Sequence, residues 1–236
     1  MPGPNLLLEE ALMGEHRHER DGPRHRPTRS LPSETGEEML EGTVTVAFAD
    51  VEDSTTLVQH LGDRRYAELI DRLGTICRSL AEPLRGYVPR HEGDGWMLVF
   101  GSARRAARWA CDLQQAVQHL ATELPEETLR IRIGLHTGEA LQRGRDFQGV
   151  HVNLAARVSA VAPGGSVYVS SLTHRVIRGE PDFVFGQPVI FSLKGFEEPE
   201  AIYELDWRRL AEAEVHQAPG ATDGDGAVPL SPDSRR

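Results

Sequence analysis

Two aspartates in different local settings have the residue type and spacing for cation chemistry. Asp50 closes the apolar run Thr43-Val44-Thr45-Val46-Ala47-Phe48-Ala49, and Asp94 lies in the turn Gly93-Asp94-Gly95 between two strand-like runs. If those strands pair, both carboxylates meet at one sheet end, where hard oxygen ligands can hold divalent cations against a phosphate. The leading reading is metal-dependent chemistry on a nucleotide.

A second constellation surrounds the first. Phe48-Ala49-Asp50-Val51-Glu52-Asp53-Ser54-Thr55 passes from strand to helix, so the first N–H groups of that helix face the strand end and suit a phosphate. Asp50 or Ser54 acting only as a helix cap is the competing reading of the segment. Further on, Asn153 and Arg157 stand four residues apart on an otherwise apolar helix and share one face. A guanidinium and an amide there need a partner, because burying them unpaired costs several kcal/mol. A ligand or an interface provides one, as would a neighbouring carboxylate or backbone group. Gly149, just before the pair, allows close approach.

The elements that position these residues alternate between the two hydrophobic periods. Thr43–Phe48 reads as a strand, residues 54 to about 84 as one or two helices, and Tyr87–His91 with Trp96–Phe100 as a hairpin closed by Asp94-Gly95. Ser102 to about Ala121 carries one apolar stripe; Leu129–His136 alternates as a strand and is followed by a Gly-rich loop. A helix near Val150–Ala162, a strand at Ser166–Ser170 and a hairpin from Phe183 to Leu205 complete the order. The order β-α-β-β-α-β predicts a ferredoxin-like, palm-like α+β sheet with helices packed on one face, plus the C-terminal hairpin.

Composition sets the limits. The chain has 236 residues and a net charge of -10, which argues against nucleic acid or an anionic membrane as partner. Residues 1–41 and 208–236 are rich in Pro, Gly and charge and read as flexible tails around a domain at 42–207. Only two cysteines, Cys77 and Cys111, are present, both in helical patterns, and no run is long enough to span a bilayer. Both features suggest a reducing cytoplasm.

Five separated motifs now fall in register within this domain of about 165 residues: Phe48–Thr55, Gly93-Asp94-Gly95, Ile133–Glu139, Val152–Arg157 and Leu193-Lys194-Gly195. Together they resemble the class III adenylate/guanylate cyclase catalytic domain. That resemblance implies a homodimer with two composite sites, in which Asp50, Asp94 and the Val51 carbonyl bind two divalent cations, Mg²⁺ or Mn²⁺. Asp146 from the other protomer would read the purine, Asn153 would orient the ribose, and Arg157 would stabilise charge on the transferring α-phosphate. Lys194 would contact the terminal phosphates, with Ser54 and Thr55 at the phosphate-facing helix start. Two positions depart from the family pattern. Arg90 stands where adenylate-forming relatives carry lysine, and a planar fork is not an ammonium. Asp53 stands where they carry glycine, adding a carboxylate near a triphosphate unless it points away or caps the helix. With Asp146 able to accept from the adenine amino group, the resemblance implies ATP as substrate and cyclic AMP as product. A weakly active or inactive nucleotide-binding module, a guanylate cyclase, and a heterodimer remain the alternatives.

Overall fold

A computed structural model describes residues 41–124 and 129–210. Eight strands form one sheet in the order β2-β3-β1-β4-β6-β8-β7, with β5 added beside β4. They are β1 (Glu41–Val51), β2 (Tyr87–Glu92), β3 (Gly95–Phe100), β4 (Ile131–Arg143), β5 (Asp146–Gln148), β6 (Val167–Ser170), β7 (Val189–Phe191) and β8 (Glu200–Glu204). The helices are α1 (Ser54–Leu61), α2 (Asp63–Ala81), α3 (Ala103–Ala121), α4 (Val150–Ala160) and α5 (Ser171–Ile177).

Alternation along the central strands divides the interior. Ala47, Ala49 and Val51 of β1 and Ile131, Ile133 and Leu135 of β4 join a large core with Leu73, Ile76 and Leu80 of α2 and Trp109, Leu113 and Leu120 of α3. Val46 and Met97, on the opposite face, pack instead against Val152 and Ala155 of α4. The α+β architecture is the one expected, but helices on a single face are not: α2, α3 and α5 cover one side and α4 the other. The reason lies in two glycines of β4. A Cβ on Gly134 would come within 2.1 Å of the Ser159 nitrogen, and one on Gly138 within 2.4 Å of the His151 ring. They form a trough in which α4 lies directly on the strand. Gly138 is therefore a packing site and not part of a loop, and β4 continues to Arg143 where the sequence suggested an end at His136.

Two short elements went unforeseen, β5 and α5. Helix α5 begins where the Ser170 hydroxyl accepts the Thr173 N–H, a local cap that hydrophobic periodicity does not reveal. At the other end Leu210 is buried in the main core beside Trp207, so packing extends past the expected boundary at residue 207. The expected tails otherwise lie outside the described residues.

A buried polar chain crosses the sheet. His151 Nδ1 and His136 Nε2 are 2.8 Å apart, and His136 Nδ1 lies 2.7 Å from the Ser170 hydroxyl. Thr173, Thr137 and Thr45 continue the chain. Burial, reinforced by the neighbouring His151, lowers the His136 pKa from 6.5 to about 4. In this window the unfolded chain takes up a proton that the folded protein refuses, so stability falls as the pH drops from about 6.5 and the loss levels off near 4. At about 1.4 kcal/mol per pK unit, the site alone removes about 3 kcal/mol. Thermal melts across this range should show a decline that flattens in His136→Asn; an identical slope in that variant would refute the assignment.

Candidate active site

The strand register places the two aspartates together. Asp50 of β1 pairs with Gly95 of β3, and the Val51 N–H donates to the Asp94 carbonyl at 3.4 Å. Asp94 thus sits beside the end of β1, on a turn made possible by Gly93 at φ 60°. Asp50 is half-buried, and one of its carboxylate oxygens accepts two hydrogen bonds from Arg132, at 2.9 Å from Nε and 2.5 Å from Nη2. Glu52 anchors the next stretch of chain, taking the Gly164 N–H at 2.7 Å and pairing with Arg130 at 2.7 Å.

Helix α1 opens on the same sheet end. The Asp53 carbonyl accepts the N–H groups of Thr56 and Leu57, so Ser54 and Thr55 present the positive end of the helix. Asp53 adopts a left-handed conformation, φ 50°, and its side chain makes no capping bond. Of the two roles that would reconcile this carboxylate with a nearby phosphate, capping is excluded; the side chain is exposed to solvent.

Two cavities flank the carboxylates. One, of about 260 Å³, lies under α4 and is lined by Phe48, Asp50, Met97, Arg132, Ala156 and Ser159. The other, of about 430 Å³, is lined by Ser54, Thr55, Tyr66 and Asp94 among others. Burial and then the Asp94 carboxylate push the Tyr66 phenol up to about 12, and Asp50 adds to the same shift. One hydroxyl therefore senses both acids.

Among the described residues no three His, Cys, Asp or Glu side chains cluster as a closed cation cage. Asp50, Asp94 and the Val51 carbonyl, at one sheet end, are nonetheless oxygen donors of the kind that suits Mg²⁺ or Mn²⁺, ions that keep positions open for substrate phosphate. The residues fit such ions.

The remaining predicted residues are spread over α4, β5, β2 and the turn after β7. Asn153 and Arg157 are exposed on α4, whose Val152, Ala155 and Val158 are buried, so the pair faces outward without any desolvation cost. Asp146 begins β5, half-buried, with one carboxylate oxygen accepting the Phe147 N–H at 2.9 Å. Arg90 lies on β2 opposite Met97. Lys194 is exposed in the turn after β7, where Gly195 takes φ 88°.

These groups do not all meet within one chain. Asp50 pairs with Arg132 at the start of β4, whereas Asp146 pairs with Arg143 at its end. Eleven residues at ~3.3 Å each separate the two ends by about 36 Å along the strand. Lys194 follows β7, whose end lies opposite Glu200 at the start of β8. Sequence reasoning missed Arg132, Tyr66 and Glu52. Arg132 alone left a signal, a charge between Ile131 and Ile133 that an antiparallel β1–β4 register places opposite Asp50.

Comparison with known proteins gives the family and the fold. The family model of the adenylate and guanylate cyclase catalytic domain matches residues 37–206. A protein of Rhizobium meliloti (strain 1021), provisionally named adenylate cyclase 3, is 34% identical over 159 residues, 67% of this chain and 27% of that protein. Among solved structures, the adenylyl cyclase CyaB of P. aeruginosa has the same fold, with a TM-score of 0.62 at 20% identity over 71% of this chain and 95% of that one. The catalytic core of a rhodopsin-guanylyl cyclase with converted specificity, solved with ATPαS, gives a TM-score of 0.64 at 25% identity over 71% and 98%. The chain spans 27% to 56% of the length of the curated relatives it matches. Among the described residues no helix is long and apolar enough to cross a membrane.

Proposed function

This chain belongs to the class III adenylate and guanylate cyclase catalytic domain family, and from that premise we propose that it is an adenylate cyclase. It converts ATP to 3′,5′-cyclic AMP and pyrophosphate at two composite sites between two copies of the chain. The observation that carries this reading is the separation of Asp50 and Asp94 from Asp146 by the length of β4. Cation-holding and base-reading residues at opposite sheet ends can serve one nucleotide only if two chains lie antiparallel.

Asp50, Asp94 and the Val51 carbonyl would hold two divalent cations. Bound there, such ions acidify the ribose 3′-hydroxyl and neutralise the leaving pyrophosphate. The 3′-oxygen forms a bond to the α-phosphorus as the bond to the β-phosphate's bridging oxygen breaks, and the hydroxyl proton passes to water. Ser54 and Thr55 present the helix start to the phosphates, and Arg132, already beside Asp50, adds a positive charge to that wall. From the second chain, Arg157 opposes the charge developing on the α-phosphate, Asn153 orients the ribose, and Lys194 reaches the terminal phosphates. Asp146 accepts from the adenine amino group and Arg90 donates to adenine N1.

Specificity follows from the sign of one group. Guanine would present a carbonyl oxygen to the Asp146 carboxylate, two acceptors without a shared proton, and such a mismatch is worth roughly 1–3 kcal/mol. Purified protein given ATP or GTP with Mg²⁺ or Mn²⁺ should form cyclic AMP at least about tenfold faster than cyclic GMP. Preference for GTP, or only linear products from both nucleotides, would contradict the proposal.

A further inference from the structure

We propose that Tyr66 is a positioning residue for cation binding, acting through Asp94; the inference rests on the reading of Asp94 as a cation ligand. Asp94 stands between two glycines on a tight turn, and a Cβ at Gly93 would meet nothing within 4 Å. Such a turn restrains its own side chain poorly. The restraint arrives from α2. The Tyr66 ring packs against the main core, and its hydroxyl donates to Asp94 Oδ2 at 3.4 Å. The same side chain borders the cavity shared by Ser54, Thr55, Gly93 and Asp94. One phenol thus holds the cation-holding turn at the wall of the cavity that the phosphate-facing helix start also lines.

A hydrogen bond of this kind selects the carboxylate orientation and leaves the second oxygen for a cation. Partners of metal-ligating carboxylates typically contribute roughly 10- to 100-fold in metal affinity. Tyr66→Phe keeps the ring and its packing and deletes only the donor, so the fold should be retained.

The test titrates Mn²⁺ into full-length protein holding a nonhydrolysable ATP analogue, with free Mn²⁺ followed by electron paramagnetic resonance. Thermal melting in EDTA runs in parallel for wild type, Tyr66→Phe and Asp94→Asn. The expected result is Mn²⁺ binding weakened about tenfold in Tyr66→Phe, with a melting temperature in EDTA equal to wild type and kcat at saturating Mn²⁺ within about twofold. Unchanged Mn²⁺ affinity in Tyr66→Phe, while Asp94→Asn loses it, would overturn the role of Tyr66 alone. Weakened binding accompanied by a lowered melting temperature in EDTA would also overturn it, by marking the phenol as structural. Wild type and Asp94→Asn binding Mn²⁺ equally would refute the cation site itself, and the inference with it.

Discussion

Asp50→Ala and Asp94→Ala proteins should each lose cyclic AMP formation by at least roughly a thousandfold while remaining folded. The expected loss, about 4 kcal/mol in the barrier, is the scale on which a cation stabilises a transferring phosphoryl group. Neither side chain carries the fold. Asp50 is half-buried, and its partner Arg132 keeps about a third of its side chain in solvent, so the freed guanidinium can turn to water. Asp94 sits on a surface turn. Circular dichroism melts should therefore place both variants near wild type while product analysis finds almost nothing. Activity within tenfold of wild type in either variant would remove these carboxylates from the chemistry.

Arg157→Ala carries the second large effect. An arginine on the developing charge of a transferring phosphoryl group is worth roughly 10³ to 10⁵ in rate, and Arg157 is exposed, so its removal should shift stability by less than about 0.5 kcal/mol. The loss should appear in kcat, with KM for ATP little changed, since the interaction grows as the reaction proceeds. Arg157→Lys should recover only part of it, because an ammonium lacks the planar fork. A variant that loses binding and keeps kcat would instead mark Arg157 as a ground-state contact.

The parts of this site that the sequence made legible are those set by local rules. Strand alternation before Asp50, the Gly-flanked turn at Asp94 and the four-residue spacing of Asn153 and Arg157 each follow from one short segment. What stayed hidden depends on tertiary contact. Gly134 and Gly138 look like strand and loop residues until α4 is seen lying on them, and with that helix goes the expectation of helices on one face. Tyr66 reads as one more apolar position of an amphipathic helix, because nothing local shows that its hydroxyl reaches a turn 28 residues away. Arg132 required the β1–β4 register, which neither strand specifies alone. Helix α5 is only seven residues long and starts on a serine cap, too short to leave a period.

The most direct test of the two-chain site mixes two inactive proteins. Asp50→Ala retains an intact Arg157 group, and Arg157→Ala retains an intact Asp50 group, so a mixed dimer contains one complete site and one doubly broken one. Each variant is purified alone, shown to be folded and dimeric, and then combined in equal amounts after subunit exchange. Random pairing makes half the dimers mixed, with one of two sites working, and cyclic AMP formation should return to about a quarter of the wild-type rate. A mixture no more active than its components, with exchange demonstrated, would contradict a site shared between chains.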